Sequence, residues 1–193
     1  MRQMDPRRPF AVRPVLIATG LLAALVAAAL VIYVLSPSST PRQPRAGLAL
    51  GFLAENHPAP QFSLPLLAGT GAISPRASGG RPVVLNFWSS TCTVCQQETP
   101  AIEKVASSVG NRVEFVGVDT LDQRAAALRF ARRYGVSYPI AFDSSGSVAA
   151  RYGVPALPMT FFLSRSGRRI IGLNVGRLTA AKLTAILKRL YGT

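Results

Sequence analysis

One apolar run is unbroken by charge, and the rest of the chain alternates apolar and polar positions at strand or helix spacing. Val15 to Leu35 is the uncharged run, 21 consecutive residues of mostly Ala, Leu, Val and Ile. As a helix it extends about 30 Å, the thickness of a bilayer's hydrocarbon core. Further along, Val83-Val84-Leu85-Asn86-Phe87-Trp88 is nearly continuous apolar chain, which predicts a strand covered on both faces. Ile102, Val105, Ala106 and Val109 repeat at i, i+3, i+4, i+7, an amphipathic helix closing at Gly110. Val113–Val118 reads as a second buried strand. Ala127, Phe130, Ala131 and Tyr134 form another helical stripe closed by Gly135, with Thr120-Leu121-Asp122-Gln123 spaced as its capping box.

Short elements complete the pattern. Gln61–Leu66 reads as an edge strand and Gly69–Gly80 as a Gly/Ser-rich connection. Pro139–Phe142 is a strand, Ser147–Tyr152 a helical turn or two, and Thr160–Leu163 with Ile170–Val175 a hairpin around Ser164–Gly167. Thr179 caps a last helix that carries Leu183, Ile186, Leu187 and Leu190 on one face. The order βαβαβ, then a hairpin and a helix, predicts an α/β sandwich around a mixed sheet.

Charge orients the apolar run. Four arginines and one aspartate precede it and only Arg42 and Arg45 closely follow, so the N-terminus is expected in the cytoplasm and the remainder outside. A cleaved signal peptide shares these features. Against it stand the length, beyond the usual 7–15 or so residues, and the bulky Ile32-Tyr33-Val34-Leu35 where a small-residue cleavage site belongs. The division predicted is a basic cytoplasmic segment 1–14, an anchor 15–35, a Pro/Ser-rich tether 36–50 and a domain 51–193. After Gly47 the chain keeps 16 Lys and Arg against 7 Asp and Glu. These cations are scattered and not interleaved with aromatics, which speaks against nucleic acid and leaves anionic lipid headgroups as the simpler attraction. Arg129, Arg132 and Arg133 sit together at helical spacing, as on a solvated helix face.

The only cysteines are Cys92 and Cys95, and the only histidine is His57. Two cysteines three apart make no multi-disulfide scaffold, and with one distant histidine they fall short of the four ligands of a closed zinc site. As a structural bridge the pair closes almost no loop and gains little stability. Redox chemistry fits better, because the pair follows a buried strand and opens a helix. There the dipole and free N–H groups favour the thiolate, which makes Cys92 the nucleophile and Cys95 the resolving thiol. The redox centre is then the disulfide itself, with no separate cofactor and no metal.

The stretch Val83 to Pro100, with Cys92-Thr93-Val94-Cys95 at its centre, resembles the active-site signature of the TlpA/ResA-like branch of the thioredoxin superfamily. Ala59-Pro60-Gln61-Phe62, Val116-Gly117-Val118-Asp119 and Tyr152-Gly153-Val154-Pro155-Ala156-Leu157-Pro158 resemble three further motifs of that branch in the same order. The resemblance implies a thioredoxin-like fold with an N-terminal extension and a central βα insertion. It implies an anchored, extracytoplasmic thiol–disulfide oxidoreductase acting on protein thiols and disulfides, as several members do when reducing substrates for cytochrome c maturation. A membrane protein carrying electrons would be its redox partner. It further implies that Pro158 matches the family's cis-proline, and that with Leu157 and Trp88 it shapes the substrate-binding surface. Glu98 matches the acid three residues after the second cysteine, on one helix face with Cys95 and placed to move its proton. The alternative for Glu98 is an exposed first-turn glutamate stabilised by the helix dipole.

Three positions depart from the pattern. Thr93-Val94 lacks a proline before the second cysteine, Thr91 stands where thioredoxins carry Trp, and Asn86 takes the place of a buried aspartate. These leave the direction of electron flow open. A disulfide-forming oxidant, a peroxide reductase and a non-catalytic peptide-binding module remain rivals to the reductant.

Overall fold

The computed structural model describes residues 51–193. The expected basic segment, anchor and tether of residues 1–50 lie outside the described residues. Among the described residues no helix is long and apolar enough to cross a membrane.

A six-stranded mixed sheet forms the centre. Its strands are β1 (Gly51–Pro58), β4 (Val83–Trp88), β5 (Glu114–Thr120), β6 (Ile140–Asp143), β7 (Met159–Leu163) and β8 (Arg169–Val175), in spatial order β1-β8-β7-β4-β5-β6. β4, β5 and β6 run parallel; β7, β8 and β1 add antiparallel. Each parallel step needs a crossover, and helices supply it. α1 (Thr93–Val109) joins β4 to β5, and α2 (Arg124–Arg133) joins β5 to β6. α3 (Ser147–Arg151) leads toward β7, and α4 (Ala180–Tyr191) closes the chain.

β4 is buried at all six positions, which its unbroken apolar sequence requires. Strand alternation divides its side chains. Val83, Leu85 and Phe87 pack with Val118, Phe161, Ala149 and Tyr152 on one face. Val84 packs with Ile102, Val105, Phe162, Leu183 and Leu187, residues of α1, β7 and α4, on the other. The stripes predicted for α1, α2 and α4 are the faces buried, and Thr179 caps α4 by accepting from the Lys182 N–H at 3.2 Å.

Two expectations fail locally. The edge strand at Gln61–Leu66 shrinks to β2 (Leu64–Pro65), paired with β3 (Ala72–Ile73) inside the expected loop. Gly51–Pro58 takes the sheet edge instead, its mostly solvent-facing residues having disguised it. The capping box is also absent. Thr120 ends β5 with its hydroxyl donating to Asp143 Oδ2 at 3.2 Å, and Gln123 caps α2 without using its side chain.

Candidate functional site

β4 delivers the chain to the cysteines through Ser89–Thr91, and α1 begins at once. Cys92 is the N-cap, in extended conformation, and its Sγ accepts from the Cys95 N–H at 3.1 Å. The two sulfurs are joined as a disulfide, with Cα atoms 5.2 Å apart. Cys92 is half-buried, whereas Cys95 is 0% exposed. One sulfur therefore meets solvent at a helix N-terminus and the other lies one turn inside. No acid occupies the first turn of α1, so nothing there opposes a thiolate on Cys92.

The loop before Cys92 is fixed from three sides. Ser90 N–H donates to Asp122 Oδ2 at 2.6 Å, the Gln96 amide donates to the Ser90 carbonyl at 3.1 Å, and Cys92 N–H donates to the Ser89 carbonyl at 3.2 Å. Asp122 also accepts from the Gln123 N–H at 2.7 Å. Burial works to raise its pKa, yet Ser90 and Gln123 hold it below the ordinary 3.8. Asp119, at the end of β5, is 0% exposed, and neither carboxylate oxygen has a hydrogen-bond donor. Its pKa rises to about 8, first from burial and then from the negative charge of Asp122, with Arg124 opposing and Asp143 adding to the rise. In the sequence Asp119 closes one of the resembling motifs and Asp122 falls in the expected capping box, and neither has a role beside the cysteines there. The signal available was an acid closing an otherwise buried strand.

Glu98 is fully buried, which removes the exposed-glutamate alternative. Its Oε1 accepts from the Asn86 amide at 2.8 Å and its Oε2 from the Leu178 N–H at 2.8 Å. Asn86 donates also to Thr160 Oγ1 at 3.0 Å, which links β4, α1, β7 and the turn before α4. Burial lifts the Glu98 pKa from 4.5 to about 7, although the Leu178 and Asn86 donors and the Arg177 charge pull it down.

The Leu157–Pro158 peptide is cis, with Pro158 buried and its carbonyl accepting from Gly176 N–H at 3.1 Å. Leu157 is half-buried and packs in the same cluster as Cys92 and Cys95. Trp88 corrects the sequence reading. Its side chain is 3% exposed and stacks on Phe130 with ring centroids 4.4 Å apart, so it backs the cysteine pair from inside and offers no surface to a substrate. A residue closing a strand buried on both faces has no outward side to show. His57 is exposed beside Glu55 at 3.6 Å, and among the described residues no three His, Cys, Asp or Glu are grouped to hold a metal.

Residues 56–168 match the profile described as the AhpC/TSA family. The thioredoxin-like protein YneN of Bacillus subtilis is 33% identical over 134 residues, 68% of this chain and 77% of that one. The thiol-disulfide oxidoreductase ResA of Halalkalibacterium halodurans is 34% identical over 109 residues, 56% of this chain and 61% of its own length. A secreted Mycobacterium tuberculosis disulfide oxidoreductase, described as homologous to E. coli DsbE, superposes with a TM-score of 0.61. It is 26% identical and covers 67% of this chain and 96% of that one.

Proposed function

The chain belongs to the AhpC/TSA family, and from that premise we propose that it is a thioredoxin-like thiol–disulfide oxidoreductase reducing disulfides in extracytoplasmic proteins. One observation carries the reading: a half-exposed N-cap Cys92 is bonded to a Cys95 that solvent does not reach. In the reduced protein the Cys92 thiolate attacks a substrate disulfide, forming a mixed disulfide and releasing one substrate thiolate. Cys95, as thiolate, then attacks Cys92 Sγ and expels the second substrate thiolate. Two electrons pass to the substrate and the Cys92–Cys95 disulfide is restored. Glu98, one turn beyond Cys95 and titrating near neutrality, accepts the Cys95 proton in this scheme. Half-buried Leu157 forms the rim along which substrate backbone lies, and buried Pro158 with its cis peptide bond shapes that rim from behind.

The basic start, apolar run and tether of residues 1–50 support a membrane-anchored domain on the outer face, recharged by a membrane protein that carries electrons. Relatives named thiol-disulfide oxidoreductase ResA and thiol:disulfide interchange protein DsbE support exchange with protein thiols, and the resemblance to the TlpA/ResA-like branch makes cytochrome c maturation the setting proposed. One contact favours the opposite direction. The Cys95 N–H reaches Cys92 Sγ in the disulfide and would bond a Cys92 thiolate more strongly, which favours the reduced form as in strongly oxidising members of this chemistry; a disulfide-forming oxidant is the second reading.

The test is trapping. With Cys95→Ser, a disulfide-bearing protein substrate accumulates as a mixed disulfide on Cys92; with Cys92→Ser, it does not react. Turnover surviving in Cys92→Ser would rule the scheme out.

A further inference from the structure

A groove of about 460 Å³ opens beside the cysteines. Ser90 and Gln96 form its near wall, and α2 supplies Arg129, Phe130 and Arg133, with Tyr134 just beyond. Its floor is aromatic: Phe130 is 5% exposed, stacks on Trp88, and meets the Tyr134 ring at 4.7 Å between centroids. Its far edge is cationic. Arg129 and Arg133 are exposed, four residues apart on one helix face, and the Arg133 guanidinium lies 5.8 Å from the Tyr134 ring centroid.

Nothing among the described residues supplies a counter-charge to this edge. Among the described residues the ion pairs are Arg81 with Glu114 and His57 with Glu55. Glu98, Asp119 and Asp143 are buried, Asp122 holds Ser90 and Gln123, and Glu103 accepts from Ser137. The groove also starts one helical turn from the attacking sulfur, since Gln96 N–H donates to the Cys92 carbonyl at 3.1 Å. Two cations over an aromatic floor fit an extended peptide bearing carboxylates, with ring faces for its apolar atoms.

We propose that this groove docks an acidic segment flanking the reactive cysteine of the substrate protein, its carboxylates seated on Arg129 and Arg133. The proposal rests on the redox reading above and names the substrate class for the same site. A lipid headgroup would also suit the charge. A concave groove walled by the active-site loop favours a peptide that continues toward Cys92.

Two synthetic peptides containing one disulfide, with Glu or with Gln at the positions flanking it, are reduced by the full-length protein in detergent micelles after its Cys92–Cys95 pair has been reduced with dithiothreitol and the excess removed. The expected result is a Glu-over-Gln rate ratio of about 10 at low salt, falling toward 1 in 0.5 M salt or so. The double substitution Arg129→Gln with Arg133→Gln brings the ratio near 1 at low salt. Each ratio compares two substrates on one protein sample, so partial unfolding of the variant cancels. A ratio near 1 in the parent, or one unchanged in the variant, overturns the acidic-segment proposal alone. So does an intact ratio with lost binding to phosphatidylglycerol vesicles, which would make the groove a lipid contact. If neither peptide is reduced, the redox reading fails and takes the proposal with it.

Discussion

The Asn86 side-chain amide donates to the Glu98 carboxylate across 2.8 Å, both residues buried. Asn86 lies on the strand that delivers the cysteines and Glu98 on the helix that carries them away. An ionised aspartate at position 86 would place a second negative charge against Glu98 and drive one of the two to stay protonated. The neutral amide instead donates, so Glu98 is free to titrate by itself near neutrality.

Glu98 binds its proton more tightly in the fold, near pH 7, than at its ordinary 4.5. Stability present below the lower value is therefore lost as pH rises toward the upper one. Replacing Glu98 by Gln removes that loss while weakening one hydrogen bond. Relative to the parent, the variant should gain about 3 kcal/mol between pH 4.5 and 8 by urea unfolding. Parallel stability curves would deny Glu98 its shifted titration.

The same variant should slow the resolving step about 100-fold at pH 7 and leave the first attack by Cys92 nearly unchanged. Stopped-flow with a disulfide substrate would then show a mixed disulfide building up. A variant that slows both steps equally would argue for a purely structural glutamate.

Asp119 is buried with no donor on either oxygen, and its proton leaves only near pH 8 against an ordinary 3.8. The fold therefore loses stability as pH climbs through this window. Asp119→Asn should match the parent near pH 4 and exceed it in thermal stability at pH 9. A variant less stable at pH 9 would mean that the carboxylate has a favourable partner when ionised.

Asp122 acts on the loop through its 2.6 Å contact with the Ser90 N–H. Asp122→Ala should cost about 1.5 kcal/mol at pH 7 and progressively less as pH falls below the ordinary 3.8 toward the lowered value in the fold. Faster hydrogen exchange at the Ser90 amide is the local readout. Unchanged exchange there would remove Asp122 from the loop's support.

A methyl group on Gly117 would lie 2.8 Å from Trp88 Nε1 and 3.3 Å from Ile140 Cγ1. Gly117→Ala should destabilise by about 1–3 kcal/mol and shift the emission of Trp88, the one tryptophan in the chain. A silent substitution would mean that the indole moves aside freely.

What the sequence showed and hid follows from where each signal is written. β4 and the faces of α1, α2 and α4 were legible because burial on one or both faces writes an apolar pattern into consecutive residues. The redox pair was legible because a strand followed at once by a helix fixes where Cys92 must sit. β1 was hidden, since an edge strand with exposed side chains carries no such pattern. Trp88 was misread as a surface because periodicity shows that a residue is apolar but not which neighbour covers it; Phe130 does, from 42 positions away. Asp119 and Asp122 look like ordinary acids of a polar turn, and only the packing of β5 against β4 and β6 separates the buried one from the one that holds Ser90.

The most direct test of the account is the reduction potential of the Cys92–Cys95 couple, measured at equilibrium in glutathione or dithiothreitol buffers. A reversible two-electron couple at or below about −220 mV is the predicted result, since such a dithiol passes electrons to oxidised extracytoplasmic substrates. A couple near −120 mV would contradict the reductant and make the protein a disulfide former, and no reversible couple at all would contradict the redox function itself.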